Sequence, residues 1–560
     1  MMQKNYFVLV SAAGLLLLTS CSGKLGALSS DNFTVMPNPL ETQVGKVPAT
    51  INGTFPEKYM KKKAVVIVTP ELRYADGQLA KGEPATFQGE KAYGNGQTIL
   101  YQTGGRYNMK ASFDYLNCNK ADMYLTFNAK VGSKTVEVPA VKVAEGIIAT
   151  SELYKNTLKS AQAAIAPDAF QRITAQKQEA NIKFLIQQAN LRQSELKNNS
   201  VQEFVRLLEQ INSDREGLNL KEIEVSAYAS PDGGYDLNDK LAAQRQNTTE
   251  KYVQEQLKKT NLSNTAIDAK YTAEDWNGFQ ELVQASNIQD KDVILRVLSM
   301  YKDPQEREEQ IKNISSAFQE LADGILPQLR RSRMIINYET VGRSDQQIQE
   351  QLKADPAKLS VEELLYAATL TDDANAKEDI YKTTMKVYPS DARAYNNIAV
   401  MEYAKGNIAA AKASIEQAQK INGKLPEAAA NLGLIALAAG NIQSAENYIS
   451  QATGANGLAE VLGNLNLAKG NYAQAEQDFK DIYSNSAALA QILNKNYASA
   501  AVTLKYISTP DATTDYLKAV LSARMGNTSD AAEALRAAIS KDASYAKYAA
   551  NDLELQNVAK

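Results

Sequence analysis

Four glycine-asparagine pairs in the last third of the chain constrain its fold more than any other feature. They begin at Gly406, Gly440, Gly470 and Gly526, and the first two are 34 residues apart. A small residue follows each glycine after five positions, and a large apolar residue follows after nine. Glycine permits the left-handed turn that ends a helix, and a small residue lets two helices cross closely without overpacking. The pattern therefore predicts a repeated pair of helices.

This period resembles that of the tetratricopeptide repeat (TPR), and we expect about six units over residues 357–560. The resemblance implies an all-α superhelix that docks a peptide or a partner protein. Polar side chains on the first helices, Asn396, Asn397 and Asn431, are the candidates for contacting a partner's main chain. The alternative is that these asparagines are capping or surface residues.

Composition excludes several classes of chemistry. The 560 residues include no histidine and only two cysteines, Cys21 and Cys118. Histidine-based nucleophile pairs, histidine-ligated zinc and cysteine-only zinc sites are therefore excluded. A formal charge of −3, from 61 basic and 64 acidic residues, does not favour nucleic-acid binding. We expect no enzymatic activity, no metal and no cofactor.

The N-terminus has the pattern of an export signal. Residues 1–21 carry Lys4 and then an apolar run that is too short to span a membrane. Leu-Thr-Ser-Cys at 18–21 resembles a bacterial lipobox, which implies that Cys21 is acylated; the alternative is an ordinary signal peptide. Residues 22–32 read as a tether, and Cys118 is expected to be a buried apolar residue in a strand-like stretch.

Short alternating segments between turn residues predict an all-β domain over residues 33–150. The apolar run at 64–69 suits a buried strand, and Val-Gly-Ser at 131–133 reads as a hairpin turn. Six or more strands of this kind predict a β-sandwich.

An α/β pattern follows over residues 151–342. We expect a connecting helix over 147–178, a strand at 181–187, and then the order helix, strand, helix, strand and strand. A helical insertion over about 275–329 separates the last two strands, and a linker over 343–356 leads to the repeats.

The turn after the second strand carries Gly233, Asn238, Leu241 and Arg245, at positions that match the OmpA-like peptidoglycan-binding domain. The basic run at 330–333, before the last strand, also resembles that family. The resemblance implies that an aspartate holds the ammonium of diaminopimelate and that Arg245 holds a carboxylate of the wall peptide.

This sequence departs from the family at the aspartate position. Ser230 stands there, and Asp232, two residues on, is a candidate substitute; Asn238 completes the candidate wall-binding set with Arg245. The alternative is a retained fold that has lost wall binding, with Arg245 in a structural ion pair. The insertion is either a partner surface or packed structure anchored by Trp276.

The order of modules resembles that of outer-membrane lipoproteins of the Bacteroidetes type. It implies a non-enzymatic scaffold that is lipid-anchored, faces the periplasm, contacts peptidoglycan and recruits a protein partner through its repeats. Ser22-Gly23-Lys24 lacks the acidic residues associated with surface export in that group. The second hypothesis is a surface adhesin or a fimbria-associated component that binds through the β domain.

Overall fold

The computed structural model describes residues 25–288 and 290–558. Contacts divide the chain into two units. Unit 1 combines residues up to 167 with those from 371 onward, and unit 2 comprises residues 168–370. The candidate lipidation residue Cys21 and the start of the predicted tether lie outside the described residues.

The first part of unit 1 is rich in β-structure. Two mainly antiparallel sheets, ordered β1-β3-β8 and β10-β9-β4-β6-β7, contribute to one hydrophobic core. The strands are β1 (Phe33–Met36), β2 (Leu40–Glu41), β3 (Lys46–Phe55), β4 (Ala64–Tyr74), β5 (Leu79–Lys81), β6 (Ala85–Gly89), β7 (Gln97–Ile99), β8 (Gly105–Asp114), β9 (Ala121–Val131), β10 (Lys134–Glu145) and β11 (Ile147–Ile148).

The apolar run at 64–69 forms the first part of β4, as predicted. In β8 every second residue is buried, from Tyr107 to Phe113. The predicted hairpin joins β9 to β10 through Gly132, whose φ of 62° lies in the left-handed region. Cys118 differs from expectation, because it is half-buried and lies between two strands, with its thiol 3.4 Å from the Lys120 carbonyl.

Unit 2 is a four-stranded sheet with helices between its strands. The sheet order is β12-β15-β13-β14; β13 and β14 are parallel and the other pairs are antiparallel. The elements are β12 (Ile173–Lys183), α2 (Gln193–Leu196), α3 (Asn199–Ser213), β13 (Leu218–Tyr228), α4 (Tyr235–Lys259), β14 (Ala266–Thr272), α5 (Trp276–Ala285), α6 (Lys291–Met300), α7 (Pro304–Asn313), α8 (Ser315–Glu320), α9 (Leu326–Leu329), β15 (Arg331–Val341), α10 (Asp345–Ala354) and α11 (Val361–Ala367).

The element order of unit 2 agrees with the α/β pattern, and helices α5–α9 form the insertion. The segment predicted as a linker is largely the helix α10, whose Ile348 is fully buried. Its first turn is closed by a capping box between Ser344 and Gln347, which stabilises a helix start. That capping signal is present in the sequence, and the linker prediction overlooked it.

The second part of unit 1 is helical. A four-residue helix, α1 (Tyr154–Thr157), precedes unit 2 in the chain and contacts this part. The helices are α12 (Ala374–Val387), α13 (Ala392–Ala404), α14 (Ile408–Ile421), α15 (Pro426–Ala438), α16 (Ile442–Ile449), α17 (Leu458–Ala468), α18 (Tyr472–Asp478), α19 (Asn485–Leu493), α20 (Tyr497–Tyr506), α21 (Ala512–Arg524), α22 (Thr528–Lys541) and α23 (Ser544–Ala549).

Consecutive helices from α13 to α22 pack as pairs. All four glycines of the repeated motif have φ between 74° and 81°, as the left-handed turn requires. The small and large residues that follow them are buried and fill the crossing of each pair. They are Ala411, Ala445, Ala475 and Ala531, with Ile415, Ile449, Phe479 and Leu535.

Gly463 provides a test of how closely these helices approach. A β-carbon built on Gly463 in α17 would lie 2.6 Å from the ring of the buried Phe479. We expect Gly463→Ala to destabilise unit 1 by about 1–3 kcal/mol through overpacking, measured by urea denaturation followed by circular dichroism. Gly423→Ala is the control, because its added carbon meets only a carbonyl oxygen at 3.5 Å. Equal stability of both variants would contradict the close approach.

The connecting helix predicted over 147–178 is wrong. Residues 161–171 contain no helix, and β12 begins at Ile173. In residues 161–167 the reason is tertiary, because the main chain of this part is hydrogen-bonded to side chains of the repeat helices rather than to itself.

Candidate functional site

Residues 158–167 of unit 1 lie against the first helices of the repeat pairs, and we call this segment the strap. After one 3₁₀ turn at Leu158–Ser160 it has no regular secondary structure. Its residues Ala161, Ala164 and Ala166 are buried in the same hydrophobic cluster as side chains of α13, α15 and α17. We call the faces of α13, α15, α17 and α19 that contact the strap the repeat groove.

Asparagines of the groove pair with the main chain of the strap. The side chain of Asn431 accepts a hydrogen bond from the Ala164 N–H at 2.6 Å and donates one to its carbonyl at 2.8 Å. Asn396 donates to the same carbonyl at 2.9 Å. A primary amide carries both a donor and an acceptor, so it can satisfy both polar groups of one residue.

The same arrangement recurs two residues along the strap. Asn397 accepts from the Ala166 N–H at 2.8 Å and donates to the Ala166 carbonyl at 3.0 Å. These asparagines are also bonded to each other, and Asn396, Asn397 and Asn431 are each at most 3% exposed. The alternative that they are capping or surface residues is therefore wrong. The main chain that they contact belongs to their own chain, and a role in binding a partner stays a prediction.

Contacts continue along the strap toward its start. The Gln162 N–H lies against Glu460 of α17, and Asn485 of α19 donates to the Ser160 hydroxyl at 3.0 Å. The Tyr403 hydroxyl donates to the Leu158 carbonyl at 2.7 Å. The helices α13, α15, α17 and α19 thus reach residues 166, 164, 162 and 160 of the strap in turn, and α13 also reaches residues 164 and 158.

Glu460 is an unusual group in this groove. It is 3% exposed, and its Oε2 has no partner at hydrogen-bonding distance. Burial raises the pKa of Glu460 to about 7, while the Asn464 side chain, which donates to Oε1 at 3.4 Å, and the nearby Ser484 hydroxyl and Gln162 N–H act in the opposite direction. A buried carboxyl without full hydrogen bonding favours its neutral form.

The sequence interpretation missed Glu460, Asn485 and Tyr403. One signal was available, because Glu427 and Glu460 are 33 residues apart and occupy the first turns of consecutive first helices. A carboxylate repeated at a buried position of a helical repeat indicates a polar contact in the groove.

The candidate wall-binding arginine of unit 2 is buried. Arg245 of α4 is 1% exposed and donates to the carbonyls of Leu185, Gln188 and Tyr228 at 3.3, 3.0 and 2.8 Å. Its guanidinium also lies over the Phe184 ring. Burial, followed by the charge of Arg330, lowers the pKa of Arg245 to about 10. The arginine therefore joins the loop after β12 to the end of β13, and its bonding partners are carbonyls rather than the carboxylate of a structural ion pair.

Ser230 and Asp232 are also bonded within unit 2. The Ser230 hydroxyl donates to Asp232 Oδ1. Arg330 donates from Nη2 to Asp232 Oδ2 at 2.7 Å and from Nε to the Ser230 oxygen at 3.1 Å. The Asp232 and Arg330 side chains are only 17% and 11% exposed. Asp232 thus has a cationic partner inside the chain.

The remaining candidate, Asn238, donates to the Gly233 carbonyl at 2.8 Å and closes the turn before α4. The insertion packs over this turn. Between Asp232 and Trp276 it leaves a cavity of about 10 Å³, too little for an amino-acid group. Trp276 is half-buried, and its ring stands edge-on to Phe279.

Among residues 25–288 and 290–558, no helix is both long and apolar enough to cross a membrane. Over the same described stretches, no group of three or more acidic, cysteine or histidine side chains could hold a metal ion.

Paired helices, left-handed glycine turns and an asparagine-lined groove define the C-terminal part of the chain as a helical-repeat module of the protein-interaction class. A tetratricopeptide repeat family model matches residues 392–425, which span α13 and α14. The repeat prediction is confirmed for this part. No curated protein matches the chain.

Solved structures resemble parts of the chain. A tetratricopeptide repeat protein from Parabacteroides merdae is 16% identical, with a TM-score of 0.26, covering 42% of this chain and 93% of its own. PilF of Pseudomonas aeruginosa is 16% identical, with a TM-score of 0.25, covering 38% and 97%. Yeast Tom70 is 11% identical, with a TM-score of 0.23, covering 62% and 80%.

Proposed function

We propose that the chain is a non-enzymatic scaffold of the bacterial cell envelope that recruits a partner protein through its repeats. The repeat groove supports this proposal, because its asparagines bind a peptide main chain by paired hydrogen bonds. Binding of a peptide main chain by hydrogen bonds requires no catalytic side chain. The candidate partner-binding residues are therefore those that hold the strap.

The proposal places the chain at the outer membrane, lipid-anchored at Cys21 and facing the periplasm. It rests on the lipobox-like residues 18–21 and on the absence of acidic residues just after them. Cys21→Ala is expected to move the protein from the membrane to the soluble fraction of a Gram-negative host. Cys118→Ala is the matched control. A soluble wild-type protein without lipid on Cys21 by mass spectrometry would contradict the anchor.

Recruitment of a partner is tested by cross-linking in cells with a lysine-reactive reagent. The repeats expose lysines such as Lys412 and Lys505. We expect cross-links from these lysines to one recurrent protein. Cross-links confined to the β domain, together with protease cleavage on intact cells, would favour the surface adhesin instead.

Contact with peptidoglycan is the finer part of the function implied by the family resemblance. Arg245 and Asp232 are both bonded inside unit 2, so we expect sacculi to retain the Asp232→Ala chain no less than the wild type. Glu281→Ala serves as the control for handling, because Glu281 is exposed. Selective loss of binding by Asp232→Ala, with unchanged Trp276 fluorescence, would make Asp232 a ligand for the wall ammonium.

A further inference from the structure

The strap fills the groove through which the repeats would bind a partner. Resting on the proposed function, we propose that the repeat groove binds an extended partner segment with small alternate side chains, and that this segment enters by displacing the strap. The strap shows which chemistry fits, because its main chain carries the polar contacts and Ala164 and Ala166 supply the buried side chains.

The groove restricts the size of the buried side chains of its occupant more than their identity. Asn396, Asn397 and Asn431 bond to N–H and carbonyl groups, which every non-proline residue presents. The side chain at position 164, in contrast, is 1% exposed and lies near Gly457, on which an added β-carbon would be 3.7 Å from that of Ala164. A partner segment therefore needs alanine, glycine or serine at the positions of Ala164 and Ala166, and the buried Ala161 favours a small residue at a third position.

The groove also selects the chemistry of its occupant. Covering Asn396, Asn397 and Asn431 with a surface that has no hydrogen-bonding groups would leave their amides buried without partners, at a free-energy cost for each. A second peptide main chain would restore these bonds, whereas an apolar surface would not. This requirement selects an extended peptide over a folded apolar partner.

Two features allow exchange without unfolding the repeats. The strap is open to solvent along one edge, where Gln162 and Pro167 are exposed. The strap also leaves one polar atom of the groove, Oε2 of Glu460, without a hydrogen-bond partner. After Ser160 the strap has no hydrogen bonds of a helix or sheet, and local opening of such a segment is less costly than global unfolding, so the strap can leave while the helix pairs stay packed.

The first experiment is hydrogen exchange on the full chain. We expect the amides of Ala164 and Ala166 to exchange at least about tenfold faster than the helical amides of α15, because the strap opens separately. Equal protection of the strap and α15 would mean that the strap opens only with the whole unit. That result would overturn the proposal whatever the variants do.

The second experiment measures binding of a fluorescent peptide with the sequence of residues 158–167 to the full chain. Ala164→Arg expels the strap by size and charge, whereas Gln162→Arg alters an exposed side chain and leaves the strap seated. We expect at least about tenfold tighter binding to the Ala164→Arg chain than to wild type or Gln162→Arg, because the internal competitor is removed. Adding Asn431→Ala should abolish that binding.

Equal affinity of all three chains, with the helical signal of Ala164→Arg intact, would overturn the proposal. If Ala164→Arg does not fold, the exchange measurement decides alone. A peptide that itself carries Ala164→Arg is the specificity control and should not bind. The cross-linking experiment and the peptide experiment test different proposals. If the partner cross-links are found but the peptide does not bind, the scaffold function stands and only the exchange of the strap is rejected.

Discussion

Arg245→Ala is expected to destabilise unit 2 by about 3–5 kcal/mol, because the carbonyls of Leu185, Gln188 and Tyr228 lose their buried donor. The measurement is urea denaturation of the full chain followed by tryptophan fluorescence. Trp276 is the only tryptophan in the sequence and lies in unit 2, so its emission reports on that unit alone.

Two further variants separate charge from geometry. Arg245→Lys keeps the charge, but one ammonium cannot reproduce the planar fork that reaches three carbonyls; we expect it to recover less than half of the lost stability. Arg206→Ala, at an exposed arginine of α3, should change stability by no more than about 0.5 kcal/mol. If Arg245→Ala is as stable as Arg206→Ala, the arginine is not structural.

This prediction affects how wall-binding experiments are interpreted. Loss of sacculus binding by Arg245→Ala would by itself be ambiguous, because the variant is expected to weaken the fold of unit 2. Asp232→Ala is the more informative variant, since Asp232 lies at the partly open turn rather than in the core.

Glu460→Gln is expected to stabilise unit 1 at pH 8 and to leave its stability at pH 4.5 nearly unchanged. Burial raises the pKa of Glu460 from its ordinary 4.5 to about 7, so the folded state holds a proton that the unfolded chain has lost. The free energy of unfolding is therefore not reduced by this carboxyl below pH 4.5. It falls as the pH rises from 4.5 to about 7, because the folded state must then give up the proton of a buried group. The full shift corresponds to about 3 kcal/mol.

The measurement is urea denaturation of both chains at pH 4.5, 6, 7 and 8, followed by circular dichroism. Burial also raises the pKa of Asp552 in unit 1, so only the difference between the two chains isolates Glu460. Glu416→Gln is the matched control, because that carboxylate is 54% exposed and should give no difference at any pH. A pH profile of Glu460→Gln parallel to that of wild type would show that Glu460 stays ionised.

The repeats and the strands were predictable because their signals are local. A glycine followed by alanine and then by a large apolar residue specifies a helix crossing within one repeat, as at Gly440, Ala445 and Ile449. The buried alternation of β8 is equally local. Neither signal depends on residues that are distant in the sequence.

The strap was not predictable in this way. Its alanines favour helix by intrinsic propensity, but the groove supplies hydrogen bonds from residues more than 200 positions away, such as Asn397 to Ala166. Arg245 was identified by its position in a motif, yet the sequence does not say whether its guanidinium points to a ligand or to carbonyls. Both outcomes depend on long-range packing, which periodicity does not encode.

Unit 2 is inserted in the chain between the strap and the repeats, from residue 168 to residue 370. On the ribosome the strap is therefore made long before α13 and α15, the helices that bury Ala164 and Ala166. Unit 2 is continuous and can fold as soon as its last strand is complete, whereas unit 1 must wait for its distant half. The alanines of the strap, which are buried against the repeat helices in the folded unit, then stay uncovered during that interval, and transiently exposed apolar surface of this kind is prone to aggregation.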